Sequence, residues 1–330
     1  MTRYILTRLG HAALVLWGAI TLSFVIVQLT PGDPARLMVM GSAGGDAGAA
    51  NGEQLAQIRQ EMGLDQPLLL QYLDYLRRVV TLDWGTAYSQ QRQSVVTVIG
   101  DGLGSTIQLG ATGLVLLIVL GVIFALGSVL LPGRALRGAF EAMTLVGIAV
   151  PSFVMAIILL QVFAFQLGWF PAFGADAPAA LVLPALTIAL LGAGTLSQVF
   201  ARSIREVSSE GFVEVARARG LSPLRVVTDH VLRNASLPVY TIVGMLVGGI
   251  VSGAAIIETI FGRPGIGKLY VDAVGARDFP LIQALIVLTG GLYVLATLVV
   301  DLTYPLIDPR VASPAGQRRT SAPDPQEAAA

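Results

Sequence analysis

Residues 211–238 read GFVEVARARGLSPLRVVTDHVLRNASLP, the longest polar interruption in an otherwise apolar second half of the chain. Phe212, Val215 and Ala216 fall at i, i+3 and i+4, which predicts a short helix with one apolar face. Gly220 is placed to end that helix, because glycine enters the left-handed cap conformation without a Cβ penalty. Ser222 suits the N-cap of a following helix and Pro223 its first position. Leu224, Val227, Val231 and Leu232 then repeat at i, i+3, i+7 and i+8. The stretch therefore predicts two short helices at an angle around a Gly-x-Ser-Pro turn, held between apolar runs.

Working outward, those runs set the class of protein. The chain has 330 residues, 54% hydrophobic and 13% charged, with a mean hydropathy of +0.73. Soluble domains carry about 25% charged residues. A helix needs about 20 apolar residues to cross about 30 Å of hydrocarbon. Six charge-free runs qualify, at 9–29, 107–131, 142–167, 181–200, 237–257 and 282–300. The expectation is an all-α polytopic membrane protein with six spans. The first run follows Arg3 and Arg8 but is too long for a signal peptide, and reads as an uncleaved span. The chain divides into residues 1–30, a large loop at 31–101, a membrane domain at 102–308 and a tail at 309–330. That tail, rich in Pro, Ala and Gln, reads as disordered.

Arginine placement gives an orientation. With the N-terminus inside, Arg134 and Arg137 fall in a short inner loop. Arg202, Arg205, Arg217, Arg219, Arg225 and Arg233 fall in or beside the 211–238 segment, and Arg310, Arg318 and Arg319 follow the last span. The outer side keeps fewer, mostly in one long loop that weighs little in the rule. Both termini and the 211–238 segment are thus expected in the cytoplasm. The external loop opens on the turn residues Pro31-Gly-Asp33-Pro34. A Gly/Ala/Ser stretch follows at 41–52, and helical periodicity at 53–62 and 67–80. In the latter, Leu69, Tyr72, Leu73, Leu76, Val79 and Val80 form one apolar stripe. It reads as a cover for the outer ends of the spans or as a docking surface for an external binding protein.

Several motifs carry a family resemblance. Glu214-Val215-Ala216, then Gly220, then Leu237-Pro238 resembles the EAA loop of bacterial ABC importer permeases, with Val215 where the first Ala is usual. Ala216-Arg-Ala-Arg-Gly220-Leu-Ser and His230-Val-Leu-Arg-Asn234-Ala-Ser-Leu-Pro238 resemble the peptide (dipeptide, oligopeptide, nickel) branch. So do Asp83-Trp84-Gly85-Thr86, Pro151-Ser152-Phe153, Gly168-Trp-Phe-Pro171, Glu258-Thr-Ile-Phe-Gly-Arg263-Pro264, Ala276-Arg-Asp-Phe-Pro280 and Asp308-Pro-Arg310. The resemblance implies a type I importer permease in the bacterial inner membrane, moving di- or oligopeptides, glutathione or a nickel chelate. It implies a second, similar permease, one or two ATPase subunits inside and a solute-binding protein outside. It makes Phe212, Glu214, Ala216, Arg217, Arg219, Gly220, Ser222 and Pro223 the ATPase-coupling residues. His230, Asn234 and Pro238 close the loop.

Other readings are weaker. Gly262-Arg-Pro-Gly-Ile-Gly267-Lys268 fits GxxxxGK spacing, but Leu269 replaces the Mg²⁺-binding hydroxyl and no strand precedes it. No cysteine and only His11 and His230 argue against a metal site, and no nucleophile elbow or paired His/Glu motif suggests an enzyme. A net charge of zero gives no reason to expect nucleic acid. No cofactor is expected. A secondary transporter would carry ionisable residues at midplane. Asp301, just past the sixth run, is expected to cap or pair at the inner rim. Gly244, Gly248, Gly249 and Gly253 offer a small-residue helix-packing face or part of a pathway. Pro151 is expected to kink or split the third span.

Overall fold

In hydrocarbon a backbone can satisfy its polar groups only internally, so apolar runs of this length must be helical. The computed structural model describes residues 2–42 and 52–307. In it five long helices carry the apolar runs: α1 (Thr2–Leu29), α5 (Val95–Leu130), α8 (Val182–Ser208), α11 (Leu232–Ile260) and α13 (Phe279–Ile307). Each is long and apolar enough to cross a membrane. The third run is a broken pair, α6 (Arg134–Ala149) and α7 (Ser152–Leu159), the latter continuing as a π-helix over Leu160–Gln166. Val150 is extended and Pro151 has no N–H to donate, so the pair bends by 116°. Despite the bend it joins opposite ends of the molecule. Glu141 on α6 meets Arg205 near the end of α8 at 3.1 Å. Beyond α7, Gly174 donates its N–H to the Phe261 carbonyl at the far end of α11. The pair thus completes six crossings.

An even number of crossings returns the chain to the end where it started. Arg8 on α1 pairs with Asp301 on α13 at 3.2 Å, the kind of pairing expected of Asp301 at a rim of the bundle. The centre of the bundle is the α5–α8 contact, where Leu117 fills the space left by Gly192 and Leu196 that left by Gly121. The fifth-span glycines divide. Gly244 and Gly248 lie against Val300 and Tyr293 of α13, as a packing face should. A side chain at Gly249 or Gly253 would meet nothing within 4 Å.

At the other end lie α2 (Pro34–Ser42), α3 (Gly52–Glu61), α4 (Leu68–Thr81) and a small hairpin, β1 (Thr86–Ala87) with β2 (Gln93–Ser94). Arg59 clamps this region, bonding Asp33 at 2.6 Å and Asp65 at 2.9 Å. The Asp65 hydrogen bond, with the charge of Asp33, raises its pKa further. The expected α4 stripe splits in two: Tyr72, Leu76 and Val79 pack inward with buried Tyr75, while Leu69, Leu73 and Val80 are exposed. The helix also lies along the side of α1 and α13 instead of over their ends. Most of the Gly/Ala/Ser stretch and the 309–330 tail, with the end motif 308–310, lie outside the described residues.

Candidate functional site

The 211–238 segment forms a helical elbow at the Arg8–Asp301 end of the bundle. Its first arm is α9 (Gly211–Ala218). Glu210, extended and making no side-chain cap bond, is its N-cap. The helix closes in a Schellman motif: the Leu221 N–H reaches the Ala216 carbonyl at 3.4 Å and the Gly220 N–H reaches Arg217 at 2.9 Å. Gly220 sits at φ +81°, the conformation that made glycine the expected stop. Ser222 then caps the next turn as expected, its Oγ accepting from the Arg225 N–H at 3.4 Å, with Pro223 at the first helical position.

The second arm departs from expectation. It is not a separate short helix. After α10 (Pro223–Arg225) a π-helical turn, Val226–Val231, leads directly into α11. A π turn carries i→i+5 bonding, so the inward positions shift. Val226 and Val231, five apart, are buried together, while Leu224 is 74% exposed and Val227 and Leu232 are half-buried. The first arm also turns differently from its sequence stripe. Val213 and Ala216 are buried, and Phe212 and Val215 are exposed. The buried set, Val213, Ala216, Val226 and Val231, packs on Ala125 of α5 and Phe200 and Ile204 of α8. The elbow is therefore keyed to the spans on one side and bare on the other.

The bare side is chemically distinctive. It presents Phe212, Val215 and Leu224 among Glu214, Arg217, Arg219 and Arg225. Among the described residues none of those four charged side chains makes a hydrogen bond or ion pair. His230, Asn234 and Pro238 do not end a loop. They lie at i, i+4 and i+8 along one helix face, and the Asn234 amide donates to the His230 carbonyl at 2.7 Å. Pro238 sits inside α11, where it cannot donate to the Asn234 carbonyl. The structure so gathers Phe212, Glu214, Arg217, Arg219, Gly220, Ser222 and Pro223 on one elbow. Ala216 faces inward and anchors it.

A second constellation, at the opposite end, was not read as a unit from sequence. Glu258, fully buried near the end of α11, accepts from Thr106 Oγ1 at 2.6 Å, the Gly267 N–H at 2.7 Å and the Lys268 N–H at 3.2 Å. Thr106 in turn accepts from the Ile266 N–H at 2.8 Å. Together they satisfy the first N–H groups of α12 (Ile266–Gly275). The GxxxxGK spacing is thus an anion cradle occupied by the chain's own carboxylate. Arg263 is buried beside it, its Nη2 3.3 Å from Ser105 Oγ and Gln108 Oε1. Burial pushes that guanidinium below its usual value, and the Glu258 charge acts the other way. The available signal was a glutamate six residues before a Pro-Gly-x-Gly turn. Nearby, Asp278 accepts from the Ser89 N–H and hydroxyl at 2.7 and 2.8 Å, tying the hairpin to the start of α13.

Six helical crossings define a polytopic membrane protein, and the elbow keyed to the bundle leaves one charged, partly apolar face uncovered. The chain belongs to the family described as "Binding-protein-dependent transport system inner membrane component", matched over residues 117–313, with the N-terminal part of such components matched over residues 1–110. It is 35% identical over 311 residues to the glutathione transport system permease protein GsiC of Salmonella choleraesuis (strain SC-B67), covering 94% of this chain and 99% of that protein. It is 31% identical over 311 residues to the dipeptide transport system permease protein DppB of Bacillus subtilis (strain 168), covering 94% and 98%. Among solved structures, an inward-facing MetNI methionine ABC transporter chain superimposes with a TM-score of 0.52 at 16% identity, covering 64% of this chain and 96% of that one. An amino acid ABC transporter chain gives 0.51 at 18% identity, covering 65% and 94%. Both share the fold, that of a type I ABC importer permease.

Proposed function

We propose that this chain pairs with a second permease of the same kind to import short peptides, glutathione among them, with both termini and the 211–238 elbow in the cytoplasm. A solute-binding protein delivers substrate on the α2–α4 side. One or two separate ATPase subunits receive the elbow. The observation that carries this reading is the two-faced elbow: Val213, Ala216, Val226 and Val231 fix it to the spans, while Phe212, Val215 and Leu224 stand exposed among Glu214, Arg217, Arg219 and Arg225. Such a surface fits an apolar groove with a polar rim. ATPase closure would then push on a rigid cap and tilt α8 and α11 with it. The names of the curated relatives and the excess of arginine at the elbow end support the substrate class and the orientation.

Affinity purification of the tagged chain from its native membrane, with mass spectrometry of what accompanies it, tests the reading. Recovery of a second permease and an ATPase is expected, with the ATPase lost in Phe212→Asp and Val215→Asp chains that still reach the membrane. A chain that purifies alone and transports in vesicles without ATP would overturn it. The ligand of the cognate binding protein then tests the substrate class.

A further inference from the structure

Three stripes run along α4. Tyr72, Tyr75 and Val79 turn toward the bundle. The Tyr75 hydroxyl shares a hydrogen bond of 2.6 Å with Ser23 Oγ and that of Tyr72 one of 2.8 Å with Thr21 Oγ1. Asp74 and Arg78 lie on a second, polar stripe, paired at 2.8 Å, with Arg78 also donating to the Glu61 carbonyl. The third stripe is Leu69, Leu73 and Val80, at i, i+4 and i+11, all more than half exposed.

The depth of this helix decides what covers the third stripe. Tyr75, Leu76 and Val79 pack with Ile20 of α1 and Val287 of α13. Ile20 lies nine residues before Leu29, the end of α1, and Val287 eight after Phe279, the start of α13. At ~1.5 Å per residue both levels are ~12–14 Å from the helix ends. The apolar runs 9–29 and 282–300 mark where the hydrocarbon begins at this end, so Ile20 lies ~13 Å and Val287 ~8 Å inside it. Both spans place the contact below the headgroups, at or just beyond the ~5–10 Å to which amphipathic helices bury their apolar face. The exposed side chains Leu22, Val25 and Ile26 of α1 adjoin the α4 contact, so the third stripe continues a surface that already faces lipid.

We propose that α4 is an interfacial helix whose Leu69–Leu73–Val80 stripe is embedded in the acyl chains of the leaflet beside α1 and α13. The lipid surface, not a soluble protein, is its partner. The helix then anchors α2, α3 and the β1–β2 hairpin at a fixed height on the membrane. Its polar stripe turns toward α3 and the aqueous side.

The chain has no cysteine, so single cysteines report alone. Leu69→Cys, Leu73→Cys and Val80→Cys are compared with Asp65→Cys as a water reference and Leu22→Cys as a lipid reference. Each is placed in the assembled importer, in native membranes permeabilised on both sides and washed free of soluble binding protein. Uptake measured before permeabilisation shows that each variant is assembled. Charged maleimide should label the three α4 positions at least roughly tenfold more slowly than Asp65→Cys and near the Leu22→Cys rate. A fluorophore at Leu73→Cys should be quenched by lipids brominated on their acyl chains. Labelling at the Asp65→Cys rate, or protection appearing only when the binding protein is restored, would overturn the proposal. The second result would assign the face to that protein.

Discussion

Gly220 carries the sharpest residue-scale requirement in the elbow. Its φ of +81° costs a β-branched residue about 1–2 kcal/mol, and a Cβ there would meet nothing within 4 Å. The expense is thus purely conformational. Gly220→Val should still assemble with its partners but lose most substrate uptake relative to ATP hydrolysis. Gly220→Asn, which tolerates the left-handed region better, should retain more. Uptake and ATPase rate measured on the same preparation decide it, and full uptake in the valine variant would remove the proposed role. At the opposite end Thr106 both donates to Glu258 and accepts from Ile266. Thr106→Val keeps the shape and leaves those groups unpaired, a loss of about 1–3 kcal/mol. The detergent-solubilised chain should unfold at a lower temperature, and Thr106→Ser should recover most of the shift. An unchanged unfolding temperature in the valine variant would mean the network contributes nothing to stability.

At the element scale the π turn of Val226–Val231 is where sequence reading and structure part. A 3.6-residue period selects Leu224, Val227, Val231 and Leu232. The wider turn selects Val226 and Val231. No side chain announces that extra residue. It follows from packing on α5 and α8, which a one-dimensional pattern does not contain. The same reasoning gives a test. Deleting exposed Thr228 brings Val226 and Val231 to i, i+4, still on one face of an ordinary α-helix. Deleting Arg233, inside regular helix, rotates everything before it by about 100°. The Thr228 deletion should express and unfold near the parent, whereas the Arg233 deletion should lose the elbow and its ATPase. Equal behaviour of the two would refute the account of the turn. The cap signals of this segment, Gly220 and Ser222 with Pro223, were legible because they act through local backbone geometry. The buried faces of α4 and α9 were not, because two apolar stripes on one helix look alike until a neighbour covers one.

For the whole molecule, the six crossings were legible from length and polarity, since hydrocarbon thickness leaves little choice. Pro151 announced the broken third span, but not its 116° bend, which depends on how α7 packs beside α8. The Arg8–Asp301 pair joins the first and last spans and brings their ends to the same side. It is partly exposed, so it contributes at most about 1 kcal/mol. Asp301→Asn should therefore leave ATP-dependent uptake within about twofold of the parent. A proton-driven, ATP-independent uptake abolished by that change would instead mark a secondary transporter. Vesicles loaded with or without ATP separate the two.

The cradle formed by Gly267 and Lys268 has a guest that is covalently attached to its host. Shortening Glu258 to alanine would evict the guest and leave the N–H groups and the Thr106 hydroxyl around a carboxylate-sized void. Such a vacancy is a receptor for small free acids. Added formate or acetate should refill it and restore the lost thermal stability in a concentration-dependent way. The stability of the fold would then be titratable by a small solute from outside.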